Sequence, residues 1–195
     1  AGGDAYILTS PAGLTWTERT NPKQFSLNSI CWSGSLAVAV GVADGTDAYI
    51  LTSPDGETWT ERANPKNIAL RSVCWSGTQF LAVGNADVMS VSGITRSGST
   101  ATATTATAHN LTTGQSVTIA GADQTEYNGT FTVTATGTYT FTYTVTGTPA
   151  SPATGTITMA TDAYIVTSPT GTTWTERINP KNINLHGVCW TGAKF

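Results

Sequence analysis

Thr52 to Arg62 reads TSPDGETWTER, and the stretch returns as TSPAGLTWTER at Thr9 to Arg19 and TSPTGTTWTER at Thr167 to Arg177. Ser-Pro, Gly and Thr-Trp-Thr-Glu-Arg persist through all three copies, whereas Asp55 becomes Ala12 and Thr170. A residue carrying chemistry would not be the one that drifts, so the stretch reads as scaffold. Asp-Gly between two strand-like runs marks a hairpin, because Gly accepts a positive φ.

The surrounding sequence repeats as well. Asp4–Pro11 and Asp47–Pro54 lie 43 residues apart, as do Cys31-Trp32 and Cys74-Trp75. The third copy runs from Asp162 to Cys189-Trp190 with the same spacing of 27 residues between its Asp and its Cys, so about 72 residues are inserted before it. A period in the low forties, rich in short strands, points to β-propeller blades. Four strands fit one period: Leu27–Trp32, Leu36–Gly41, Ala48–Thr52 and Thr58–Arg62.

SPDGETW resembles the Asp-box of sialidase-type (BNR-repeat) propellers, Ser-x-Asp-x-Gly-x-Thr-Trp, with one residue fewer because Asp55 and Gly56 are adjacent. The resemblance implies a turn between the third and fourth strands of a blade, remote from any active site. Asp55 and Gly56 then belong to a structural turn, and Trp16, Trp59 and Trp174 are packing residues. It also sets the phase. Residues 27–62 form one blade, 4–19 the outer half of a preceding one, and 70–84 with 162–177 another; 186–195 begin a further one. A ring needs about four to eight blades, so the sequence reads as a fragment of a longer chain, or as one of several chains completing a ring.

The expected organisation is therefore all-β: blades at 1–87 and 162–195 around an inserted Thr-rich β-sandwich or barrel at 88–161. Strand-like runs in the insertion are Ala101–Ala108, Ser116–Ala120, Thr130–Thr136, Tyr139–Val145 and Thr154–Met159. Alternation in Tyr139–Val145 places aromatics on one face and threonines on the other. Residues Ala108 to Ile157 resemble a module of phage tail-associated structural proteins, which implies an accessory fold for contact or glycan binding. The insertion lies between the second and third strands of a blade, on the face expected to carry binding sites.

Composition excludes several classes. Charged residues make up 11% of the 195 and the net charge is −3. The nine basic residues form no cluster, which argues against nucleic acid. No apolar run approaches the roughly 20 residues of a membrane-spanning helix. Three Cys and two His show no metal-ligand spacing, so no metal or cofactor is expected. The Cys occupy equivalent positions and read as small buried apolar residues. Glu18, Glu61 and Glu176 recur beside Arg19, Arg62 and Arg177 and read as exposed ion pairs. Asp123 and Glu126 are the one close acidic pair in the insertion and read as solvated.

No catalytic residue is assigned. Asn21 and Lys23, Asn64 and Lys66, and Asn179 and Lys181 recur in Asn-Pro-Lys linkers. They read as turn chemistry or as a ring of amides and ammoniums facing a glycan. The expected function is a non-enzymatic virion structural or host-recognition component, such as a tail fibre or spike, in contact with other virion subunits and a cell-surface glycan, and itself homo-oligomeric. The alternatives are a secreted sialidase-like glycoside hydrolase and a lectin-like adhesin.

Overall fold

The computed structural model describes residues 5–43, 48–66, 68–177, 179 and 183–195. The fold is all-β. Among the described residues there are fifteen strands, and the only helical element is a single 3-10 turn at Thr125–Tyr127. The chain divides into two compact units. The first comprises residues 1–85, 163–178 and 184–195, and the second 86–162 with 179–183.

The first unit is built from antiparallel meanders. β1 (Ile7–Thr9) and β2 (Thr17–Arg19) form a two-stranded sheet. β3 (Leu27–Trp32), β4 (Ala37–Ala43), β5 (Ala48–Ser53) and β6 (Thr60–Arg62) form a four-stranded sheet in chain order. β7 (Leu70–Trp75) and the start of β8 (Phe80–Ser97) continue the pattern. The end of β14 (Gly155–Ser168) and β15 (Thr175–Arg177) complete that third meander.

Register alternation explains why these sheets stack. On β4, Ala37 and Ala39 point to one face and Val38 and Val40 to the other; all four are buried. Ala37, Ala39, Tyr49, Leu51 and Trp59 close over Ile7 of β1. On the opposite face Val38, Val40 and Ile50 meet Phe80, Ala82, Tyr164, Val166 and Trp174 of the third meander. A strand buried on both faces reads as a continuous apolar run, as Leu36 to Val40 does. The second and third meanders carry the same bulge. Gly41 approaches Ser26 O, and Gly84 approaches Ala69 O, so closely that a Cβ would lie 2.2 Å from the oxygen. The bonds Val42 N to Ser26 O (3.0 Å) and Asn85 N to Ala69 O (3.1 Å) fix it.

The second unit contains the distal part of β8, then β9 (Thr100–Thr105), β10 (Ser116–Ala122), β11 (Gly129–Thr132), β12 (Thr134–Ala135), β13 (Thr140–Thr144) and the start of β14. The sheet path runs β11-β10-β14-β8-β9-β13-β12. Its two ends, β11 and β12, are separated in the chain only by Val133, so the sheet nearly closes into a barrel. Phe131 of β11 lies 4.5 Å, ring to ring, from Tyr143 of β13 across that closure. The core holds Ile94, Val117, Ile119, Tyr127, Phe141 and Met159, each essentially inaccessible.

The strands expected in the insertion form, with one omission. Residues 88–97 carry Gly93 and several serines and do not read as a strand, yet β8 runs through them to Ser97. Pairing with β9 supplies backbone partners that side-chain pattern does not reveal. As expected, Phe141 and Tyr143 point inward while Thr142 and Thr144 point outward; Tyr139 lies outside the strand and is 51% exposed.

Candidate functional site

The TSPDGETW turn is a hydrogen-bonded hub. Ser53 Oγ accepts the Gly56 amide at 2.8 Å and donates to Asp55 Oδ1 at 2.9 Å. Asp55 Oδ1 also accepts the amides of Glu57 (2.8 Å) and Thr58 (2.9 Å). These amides, with Ser53, hold the Asp55 carboxyl below its ordinary range. The Trp59 indole N–H donates to Gly56 O at 3.0 Å.

The equivalent turns form without a carboxylate at that position. Gly13 N bonds Ser10 Oγ, and Gly171 N bonds Ser168 Oγ, both at 2.8 Å. Gly13, Gly56 and Gly171 have φ of 73°, 77° and 74°. The Ser–Gly pair with a left-handed Gly is common to all three copies, and the carboxylate only adds acceptors to it.

Trp59 and Trp174 are buried at 8% and 5%, as expected of packing residues. Trp16 corrects that expectation, being 61% exposed. It belongs to none of the three buried clusters. The cysteines are corrected too: Cys31 and Cys74 are half-buried and Cys189 is exposed. Cys31 and Cys74 lie on β3 and β7, each at a sheet edge where alternating positions are only partly covered, and Cys189 lies outside any strand. Desolvation raises the Cys31 thiol and pushes Cys74 up to about 11.

Neighbouring Glu and Arg of the TER strands do not pair with each other, because adjacent strand residues face opposite sides. Each Arg instead donates through Nε to a threonine hydroxyl on the preceding strand: Arg19 to Thr9, Arg62 to Thr52 and Arg177 to Thr167. Glu61 pairs with Lys23 at 2.5 Å, and Glu176 with Lys66 at 2.6 Å. Arg19 pairs with Glu57.

The Asn-Pro-Lys linkers are therefore joints between successive sheets. Asn21 and Asn64 are buried at 6% and 7%. Asn21 Oδ1 accepts the Tyr49 hydroxyl at 2.5 Å, and its Nδ2 donates to Ala5 O and Phe25 O. Asn64 Oδ1 accepts the Tyr164 hydroxyl at 2.6 Å. Lys23 and Lys66 reach the Glu of the next sheet rather than open solvent. Asn179 is buried, and Lys181 lies outside the described residues. The amides and ammoniums that a glycan platform would present are engaged in the fold at Asn21, Lys23, Asn64 and Lys66. The sequence pattern could have revealed this joint, since the first two Asn-Pro-Lys turns are each matched by the Tyr and Glu of the repeat after them.

Two grooves open on the first unit. One of about 290 Å³ runs between β1 and β3, lined by Tyr6, Leu8, Asn28, Ile30 and Trp59. Another of about 240 Å³ is lined by Tyr6, Glu18, Arg19, Asn21 and Gln24. Among the described residues no group of three His, Cys, Asp or Glu could hold a metal ion. Asp123 accepts the Thr154 hydroxyl at 2.7 Å. In the second unit, buried His109 accepts the Leu111 amide at Nδ1 (2.9 Å), and its Nε2 lies 3.1 Å from Thr140 O. This makes it part of the barrel's packing.

The outer face of the barrel is a hydroxyl surface that residue-by-residue reading missed. Thr95, Thr102, Thr142 and Thr134 are in register across β8, β9, β13 and β12. Thr104 faces Thr140, and Thr100 faces Thr144, in the flanking rows. The signal was alternation in each strand; what joined the rows was register.

No family model matches the chain, and no curated protein matches it in sequence. Among solved structures it is similar to the phage phi92 endosialidase, with a TM-score of 0.33 and 16% identity over 93% of this chain. The chain spans 35% of that protein's length.

Proposed function

We propose that this protein is a non-enzymatic structural or host-recognition component of a phage-like virion, a tail fibre, spike or surface protein. Its stacked meanders act as propeller blades with Asp-box-like turns. The barrel is the part that meets a partner, a neutral cell-surface glycan. The observation that carries this reading is the division of polar groups between the units. In the meanders the repeated Ser, Asn, Lys, Glu and Arg side chains bond within or between sheets. In the barrel, in-register threonines face outward, and Tyr139, which precedes β13, is exposed. Uncharged hydroxyls and an exposed aromatic suit a sugar, whose C–H face stacks on a ring while its hydroxyls exchange hydrogen bonds. The sequence likeness of 108–157 to phage tail modules supports the same reading.

The test is binding of the chain to purified bacterial surface polysaccharides by biolayer interferometry, with reducing-end release followed in parallel. Saturable binding that weakens at least about tenfold in Tyr139→Ala, the loss of roughly one stacking contact, is expected, without release of reducing ends. Sustained release dependent on the chain would overturn the non-enzymatic reading. Binding unchanged by Tyr139→Ala and Thr142→Val together would remove the barrel face as the site.

A further inference from the structure

Three polar residues of the barrel meet where the end of β10 lies against the start of β14. The pair is bulged there, with Ala122 opposite Gly155. Gly121 and Gly155 permit a close approach: a Cβ on either would lie 2.1 or 2.2 Å from a carbonyl oxygen of the facing chain. Asp123 N bonds Thr154 O at 2.8 Å. This sets the side chains of Asp123, Gln124 and Thr154 together. Thr154 Oγ1 donates to Asp123 Oδ2 at 2.7 Å. The Gln124 amide grips the same residue at both ends. Its Oε1 accepts the Thr154 amide at 2.9 Å, and its Nε2 donates to Thr154 Oγ1 at 3.0 Å.

Each group stands where an intramolecular acyl transfer needs it. The Thr154 hydroxyl is a nucleophile whose proton already points at a carboxylate, the general base. Gln124 Cδ is the acyl carbon. It is bonded to both atoms that Thr154 holds, so it stays beside Oγ1 without further search. The Thr154 N–H points at Oε1, where negative charge collects when Cδ is attacked, as an oxyanion donor does. Asp123 and Thr154 are exposed, so a small leaving group passes directly into solvent.

We propose that Thr154 and Gln124 join as an ester, a covalent clasp formed by the chain on itself. A lone pair of Oγ1 makes the bond to Cδ, and the Cδ–Nε2 bond breaks with its electron pair going to nitrogen. The hydroxyl proton passes to Asp123 Oδ2 and from there to the departing nitrogen, which leaves as ammonia. Asp123 is regenerated as the carboxylate, and no oxidant or reductant enters. Dilution of ammonia into solvent draws the exchange forward. The two residues are 30 positions apart, and the loop that the ester closes contains β11, β12 and β13. Such a link restricts the unfolded chain as a disulfide does, in a unit that contains no cysteine.

Mass spectrometry of the whole chain, after incubation in mildly alkaline buffer, tests it. The expected mass is lower than that of the sequence by one ammonia. Trypsin has no site between Arg96 and Arg177, and Glu126 lies between the two linked residues. The tryptic fragment cut after Glu126 by a glutamate-specific protease therefore stays in one piece. Brief alkali in heavy-oxygen water then separates the halves and leaves the label on a carboxyl at position 124. Thr154→Ser retains the link. Asp123→Asn keeps both joined groups and lowers the rate of linking about a hundredfold, with circular dichroism verifying that its sheets persist. A wild-type mass that stays equal to the sequence mass overturns the proposal, whatever the variants do. So does ammonia lost within one half alone, as ring closure at Asn128-Gly129 would lose it. A link that survives in Thr154→Val, or that forms equally fast in folded Asp123→Asn, overturns it as well.

Discussion

Trp59→Ala, Trp174→Ala and Trp16→Ala separate stacking from mere repetition. The sequence treats the three rings alike, and the structure does not. An aromatic side chain of this size buries about 150–250 Å² when covered. At roughly 25 cal/mol per Å² that is about 4–6 kcal/mol, an upper bound because the unfolded chain already hides some surface and alanine keeps its Cβ. Trp59 and Trp174 are 8% and 5% exposed, and both donate an indole hydrogen bond to the turn carbonyl of Gly56 or Gly171. Their removal is expected to cost about 3–5 kcal/mol. Trp16 is 61% exposed, so the same arithmetic leaves it at most about 2 kcal/mol, and about 1 after relaxation. The assay is urea unfolding followed by circular dichroism, at a concentration where light scattering reports single chains. Comparing midpoints at constant slope avoids the long extrapolation. If Trp16→Ala destabilises the single chain as much as Trp59→Ala, the stacking order is wrong.

Three further outcomes follow from the joints and turns. Ser53→Ala, which removes the acceptor for Gly56 N in a buried turn, should cost about 1–2 kcal/mol in chemical unfolding, whereas Asp55→Ala should leave the fold and any glycan binding intact. The Asp55 carboxyl is held below 3.8, so its contribution is complete above that pH and is lost as pH falls through the lower folded value; the Glu57 and Thr58 amide resonances should titrate with a midpoint below 3.8, and a midpoint above it would contradict the geometry. Alkylation near pH 8 should modify exposed Cys189 first and Cys74, pushed up to about 11, last, as read by peptide mass spectrometry.

The sequence by itself determined the strand order, the 43-residue period and the position of the insertion. These rest on alternation and turn residues, which act over a few neighbours: the Leu36–Val40 run, Ser-Pro-Asp-Gly with a left-handed Gly56, and Tyr139–Val145. It also exposed the drift at Asp55, which marks the turn as scaffold in this reading. Tertiary structure decided which equivalent residues have equivalent surroundings. Trp16 and Trp59 share a local sequence but not a neighbour, and burial depends on what packs from outside the repeat. Asn21, Lys23, Asn64 and Lys66 read equally as turn chemistry or as a display of polar groups until the next repeat's Tyr and Glu were brought against them. Residues 88–97 became strand because β9 was there to bond to. The threonine rows exist only through register across four strands, a long-range property that no single run of sequence contains.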